Sequence, residues 1–319
     1  MTFRPCYTWP NPAFPFRLYF DSAIMRIFII ENIFHNYNWL KEHSSGIRDT
    51  DYFFVILGWH HSEWHAQHSL QCIEDCGLGP ERFIILCNSH ADYAIFADYG
   101  FKCHVVNQNC FLDYNLFKPN FSVAKEYDAV YVARLTPFKR HELASEVKNL
   151  ALVSGDLHGG GSGAIIPPHI FRNSVQLTPA EVQDVICRSR TGLILSELEG
   201  ACFASSEYIL CGIPVVSTFS HGGRDVWYNE YNSIQCNSTP NAVSDAVKKL
   251  VEKSLSPVKI RNQHIHLSNH FRREFVGIMA SLFRLHDVRA DAECYFKSNY
   301  FHKMRHSENP NFDHIFPKP

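Results

Sequence analysis

Long hydrophobic runs are missing from this 319-residue chain. None reaches the roughly 18 apolar residues that a bilayer-spanning helix needs, so no membrane span is expected. A dominant charge is missing too. The 30 Lys and Arg against 32 Asp and Glu leave a formal net charge of −2, and no basic face points to a nucleic-acid partner. The N-terminal stretch, MTFRPCYTWPNPAFPF, has neither the basic start nor the apolar core of a secretory signal. Cysteine is present without a framework: 11 residues, an odd number, are scattered along the chain as reduced thiols would be. An intracellular, cytoplasmic location is expected, and on that reading Asn120-Phe-Ser and Asn237-Ser-Thr match the glycosylation pattern by chance. No repeat of fixed period is found.

What is present is the composition of a globular protein. Hydrophobic residues make up 45% and charged residues 19%, enough for a sizeable core. The length suggests two domains. The first 25 residues, rich in proline and aromatics, read as an arm. Short β-branched apolar runs then alternate with helical spacing. Strands are expected at Met25–Glu31, Tyr52–Gly58, Arg82–Cys87 and Cys103–Val106. Helices are expected from Asn38 to His43, from Glu63 to Cys76 with Gly77 as C-cap, and from His90 to Tyr99. After the loop Asn109–Pro119 the rhythm restarts, with strands at Ala129–Ala133, Leu152–Gly155, Val175–Leu177, Gly192–Leu195 and Ile213–Ser217. Helices fall at Glu142–Leu150, from Thr178 (N-cap, with Pro179 and Glu181 behind it) to about Ser189, and at Asn241–Lys253. One or two more lie over 262–287, before an irregular tail. Alternation of this kind means parallel sheets covered by helices. The expected fold class is α/β, with two Rossmann-like doubly wound domains. The expected boundaries are 1–122, 123–270 and a C-terminal segment, 271–319.

Three constellations carry chemistry. Arg134-Leu-Thr-Pro-Phe-Lys139 follows the strand AVYVA, where open α/β sheets bind ligands. A planar donor fork and a compact ammonium there suit a diphosphate, although Lys139, Arg140 and His141 would also make a solvated basic loop. Glu199-Gly-Ala-Cys-Phe-Ala-Ser-Ser-Glu207 follows the strand GLIL. Small residues at a helix start leave backbone N–H groups open to an anion, and a carboxylate beside them can accept from sugar hydroxyls. A capping and a surface glutamate would look the same. Trp59-His60-His61-Ser-Glu-Trp64-His65 follows the strand YFFVILG. A histidine there could orient a hydroxyl or take its proton. An aromatic, histidine-rich surface is the plainer reading, and metal binding lacks thiolate or carboxylate partners at firm spacing. Cys72 and Cys76 share a helix face and read as packing. The Gly-rich His158–Gly163 lacks GxxxxGK[ST] and reads as a connector. No Ser-His-Asp or Cys-His arrangement is found.

Taken together, Glu199 with Glu207 eight positions on, Cys211-Gly212-Ile213-Pro214-Val215-Val216, the Arg134/Lys139 loop and His221-Gly222-Gly223-Arg224-Asp225 resemble the family 4 (group 1) glycosyltransferases of GT-B fold. The loop is similar to that family's GRLxxxKG pattern with Ala133 for its glycine, and the turn to its Gly-Gly-x-x-Glu with Asp225 for Glu. The resemblance covers about residues 125–255 and implies two domains facing across a cleft, the N-terminal one shortened, with 271–319 packing back towards it. It implies a retaining transfer from a nucleotide-diphosphate sugar to a hydroxyl acceptor, a saccharide or lipid-linked saccharide, in cell-surface polysaccharide or glycoconjugate synthesis. No obligatory cofactor or metal is implied. Arg134 and Lys139 would hold the diphosphate and stabilise charge on the leaving group. Glu199 would touch the donor sugar, and backbone N–H groups near Cys202, Phe203 and Ala204 the sugar and phosphate. Glu207 would bind the ribose, and the nucleobase would lie against Leu177 and Thr178. His60 and His61 would face the acceptor. Peripheral contact with the inner membrane face stays open, with no basic amphipathic anchor visible. After MRIFIIE the chain carries Asn32-Ile-Phe-His-Asn-Tyr where the family has a Gly-Gly turn. Rival readings are a weakly catalytic sugar-nucleotide scaffold, or another GT-B activity such as a phosphorylase or epimerase.

Overall fold

A computed structural model describes residues 16–155, 163–300, 302–304 and 311–317. Most of the N-terminal arm and, apart from Gly163, the Gly-rich His158–Gly163 lie outside the described residues. The strands are β1 (Phe16–Asp21), β2 (Arg26–Glu31), β3 (Asp51–Ile56), β4 (Phe83–Cys87), β5 (Lys102–Val105), β6 (Tyr127–Val132), β7 (Leu150–Val153), β8 (Phe171–Arg172), β9 (Ser189–Ile194), β10 (Val215–Thr218) and β11 (Ser233–Cys236). The helices are α1 (Tyr37–His43), α2 (Glu63–Glu74), α3 (His90–Asp98), α4 (Pro179–Cys187), α5 (Phe203–Leu210), α6 (Pro240–Glu252), α7 (Pro257–Leu285), α8 (Ala292–Asn299) and α9 (Phe312–Ile315). Among the described residues no helix is long and apolar enough to cross a membrane. The fold is α/β, with two Rossmann-like units: Met1–Phe111 with Asn269–Pro319, and Leu112–Ser268.

In the first unit the sheet order is β1-β2-β3-β4-β5, parallel except for the β1–β2 pair. The central strands read as unbroken apolar runs because both faces are covered. On one face Phe28, Phe53 and Phe83 stand in register on neighbouring strands. Their rings stack at centroid distances of 5.1 and 4.8 Å. Each such pair adds about 0.5–1.5 kcal/mol beyond the area it buries. Trp39, Ala66, Ile73 and Phe96 from α1, α2 and α3 close this face, with Phe312 and Phe316 from the C-terminal segment. On the other face Phe54 meets the edge of Phe275 in α7, which also touches Tyr19, Phe111 and Phe296.

Arg26 and Asp51 begin neighbouring strands and are buried together. Arg26 Nε and Nη2 donate to the two carboxylate oxygens at 2.8 and 2.5 Å. Arg26 also donates to the carbonyls of Ile315 and Gly46. Asp51→Ala strands the buried guanidinium, so a stability loss of about 3–5 kcal/mol is expected, read as a fall in the urea midpoint. A midpoint equal to wild type would show that water reaches Arg26.

In the second unit all strands are parallel, in the order β11-β10-β9-β6-β7-β8. From β6 the chain winds outward through β7 to β8. It then returns to the opposite side of β6 at β9 and winds the other way. The strand order therefore reverses between β6 and β9, and a crevice opens beyond their carboxyl ends at such a point. Gly192 on β9 makes room for Tyr208 of α5: an added Cβ would sit 2.1 Å from the ring. Tyr208 in turn accepts a hydrogen bond from Val132 N at 2.7 Å.

Several expectations are corrected. Glu142–Leu150 is not an α-helix; a 3₁₀ turn at His141–Ala144 suffices to send Leu143, Ala144 and Val147 into the core. Val175–Leu177 is not a strand. The Asn173 side chain pairs with both Ser154 N and Ser154 O at 2.8 Å, takes the place of the ladder and ends it after β8. Val175 beyond it is exposed. The expected helix or helices over 262–287 are one 29-residue helix, α7, which ends at Leu285. Strands β1 and β11 add edges that the apolar pattern does not announce.

Candidate functional site

The loops after β6 and β9 leave from the reversal point, and each brings one of the expected charges. Lys139 Nζ donates to Glu199 Oε1 in a largely buried ion pair. Ser196 Oγ donates to the same oxygen at 2.6 Å. Among the described residues no hydrogen bond falls on Oε2. The Arg134/Lys139 loop is shaped by Phe138, whose ring lies 5.6 Å below the Arg134 guanidinium and 5.0 Å below Lys139 Nζ. Arg134 is exposed and, among the described residues, in no ion pair.

Glu199 is set by the glycine turn. Leu198 and His221 form an isolated parallel bridge. Glu199 N donates to His221 O at 3.1 Å, His221 N to Glu197 O at 2.9 Å, and Gly223 N to Gly200 O at 3.0 Å. At Gly222, φ is +121° and an added Cβ would sit 1.6 Å from the Glu199 carbonyl oxygen. Only glycine lets the two segments come this close.

Cys202 has a left-handed backbone (φ 54°) and precedes α5 without a side-chain cap. The helix starts with Phe203 and Ala204. Burial, reinforced by the Glu199 carboxylate, pushes the Cys202 thiol up to about 12, so it stays protonated and is no nucleophile. Glu207 lies inside α5 and is buried. Leu177 and Thr178 share no hydrogen bond or ion pair with this cluster among the described residues. Thr178 is the N-cap of α4 as its sequence predicts, with its amide and hydroxyl both donating to Glu181 Oε2.

The sequence names Arg140 and Arg224 but not what either holds. Arg224 is fully buried and donates to the carbonyls of Ser196 and Thr218 and to Ser217 Oγ. Arg140 adopts a left-handed backbone and donates to Leu195 O at 2.6 Å and Thr218 Oγ1 at 2.8 Å. Arginine defaults to the surface, and that default hides both. The glycines beside Arg224 are the visible signal.

In the first unit, His61 is buried with Nε2 on Asn32 Oδ1 at 2.9 Å, and His60 is half-buried. Among the described residues no group of three His, Cys, Asp or Glu side chains could hold a metal. Burial pushes His61 down to about 3 and His35 and His141 to about 4, from the ordinary 6.5. Below pH 6.5 the unfolded chain takes up protons that the folded chain refuses. Stability is therefore full above that pH and is lost as pH falls towards 4 and 3, by up to about 1.4 kcal/mol per pH unit for each histidine. The urea midpoint should drop clearly between pH 7 and pH 5; an unchanged midpoint would refute this.

No protein-family model and no curated protein matches the chain. Solved structures do. HepE of Anabaena, in complex with UDP, superposes with a TM-score of 0.53 at 14% identity, over 72% of this chain and 72% of that one. Sucrose-phosphate synthase of Thermosynechococcus elongatus gives 0.52 at 13%, over 75% and 68%. A glycosyltransferase of Rickettsia africae gives 0.52 at 12%, over 74% and 72%. The fold is that of the GT-B glycosyltransferases.

Proposed function

We propose that the chain is a retaining glycosyltransferase that moves a sugar from a nucleotide-diphosphate donor to a hydroxyl acceptor. The observation that carries this reading is the Lys139–Glu199 pair at the reversal of strand order, with Oε2 of Glu199 open and the exposed Arg134 on the same loop as Lys139. A diphosphate would draw Lys139 from Glu199 and share it with Arg134. The freed carboxylate would then accept from the hydroxyls of the donor sugar. As the bond from the anomeric carbon to the phosphate oxygen breaks, its electron pair goes to the diphosphate, where the two cations meet the growing charge, while the acceptor oxygen bonds to the anomeric carbon and gives its proton to the departing phosphate oxygen. The start of α5, from its N-cap Cys202 to Ala204, would offer backbone N–H groups. Glu207 would take the ribose, and the base would lie on the backbone at Leu177 and Thr178.

Residues 123–270 would bind the donor. Residues 1–122 would take a saccharide or lipid-linked acceptor, with 271–319 packing back towards them, in cytoplasmic synthesis of polysaccharide or glycoconjugate. HepE was solved with UDP and with UDP and glucose, so UDP-glucose is the first donor to test. A panel of uridine, guanosine and adenosine diphosphate sugars should contain one that raises the melting midpoint. At a hundredfold excess over Kd the native state gains about 2.7 kcal/mol. No shift with any member would end this reading.

A further inference from the structure

Arg140 is held at φ 51°, ψ 50°, a backbone that costs a residue with a Cβ and that glycine takes freely. The strain is kept for the side chain. Its guanidinium crosses to the adjacent strand ends and donates to Leu195 O, Thr218 Oγ1 and, at 3.3 Å, Ser238 Oγ. Arg224 reaches the same place from the glycine turn. It donates to Ser196 O at 3.0 Å, to Ser217 Oγ at 2.9 Å and to Thr218 O, while Nε rests on Asp225 Oδ1 at 2.8 Å. The consecutive carbonyls of Leu195 and Ser196 are thus each held by a different arginine, and Thr218 is held by both. Ser196 passes this to the site: Arg224 Nη1 lies 3.4 Å from its Oγ, which donates to Glu199 Oε1. Arg140 directly follows Lys139, so one clamp fixes both members of the ion pair.

We propose that Arg140 and Arg224 form a paired clamp that positions Lys139 and Glu199 for turnover, with Ser196 as its contact to the carboxylate. They are positioning residues. The proposal rests on the function argued above, and one experiment separates the two. UDP release from UDP-glucose, or from whichever donor the panel selects, is measured for the full chain, for Arg140→Gly and for Ser196→Ala. Arg140→Gly relieves the strained backbone, and Leu195 O keeps the Thr218 hydroxyl as donor at 2.9 Å. Its melting midpoint should hold or rise while kcat falls about tenfold, with KM for the donor changing far less. Ser196→Ala should lower kcat in the same way, and Ser196→Thr, which keeps the hydroxyl, should restore it. A purely structural clamp gives the opposite pattern: a lower midpoint for Arg140→Gly with kcat intact. That result, or wild-type kcat in both Arg140→Gly and Ser196→Ala, overturns the clamp alone. A wild-type chain that neither binds nor cleaves any donor overturns the function beneath it.

Discussion

Lys139→Ala is expected to cut donor turnover by about 10²–10³-fold, the usual effect of removing one preorganised charge from a site where negative charge develops. The substitution also leaves Glu199 buried and unpaired, with its side chain only 6% exposed. Breaking a buried pair in this way costs roughly 3–5 kcal/mol, so lost activity alone would not separate chemistry from folding. The double variant Lys139→Ala/Glu199→Gln removes the stranded charge. It should regain most of the midpoint and none of the turnover. Were Lys139→Ala to keep wild-type turnover, the diphosphate would be held elsewhere. Were wild type and variant to bind the donor alike without releasing nucleotide, the chain would be a sugar-nucleotide scaffold.

Gly222→Ala carries the second large effect. The backbone there, at φ +121°, lies outside what residues with a Cβ adopt readily, and the Cβ would collide with the Glu199 carbonyl. Strain of this kind costs about 1–3 kcal/mol before the collision is counted. A fall in the midpoint of roughly 5–15 °C is expected. Donor turnover should fall with it, because the displaced segment carries Glu199. Gly77 is the control. Its φ is also positive, at +70°, but nothing lies within 4 Å of an added Cβ. Gly77→Ala should cost only about 1 kcal/mol. Equal losses at the two glycines would mean that backbone strain, not the approach to Glu199, governs Gly222.

The parts of the fold that are legible in the sequence are those whose burial is uniform. β2, β3 and β4 announce themselves because both faces are covered and the residues between their ends must be apolar. α4 announces its start because Thr178, Pro179 and Glu181 act locally. The 3₁₀ turn at His141 buries the same apolar residues as a helix would, and period alone cannot tell them apart. Asn173 ends a strand through its side chain, which no hydrophobic pattern records. At the site, the spacing of Lys139 and Glu199 relative to their strands marks them as candidates. That they meet depends on β9 returning beside β6, a long-range fact. Arg140 and Arg224 are less legible still. Their work is on backbone carbonyls, and those look the same whichever residue bears them.

The first unit is split in the chain: one face of β2, β3 and β4 is covered by α1, α2 and α3 with Phe312 and Phe316, and on the other Phe54 meets Phe275, which in turn touches Phe296, far downstream. A ribosome that has finished β5 has made strands with one side incompletely covered and Phe54 on the other bare, and the rest arrives only after the whole second unit has been translated. The second unit is continuous and meets no such wait. Folding during synthesis is therefore expected to run out of chain order, with the middle of the protein complete before its beginning. Through that interval the Phe54 face is exposed to other nascent chains.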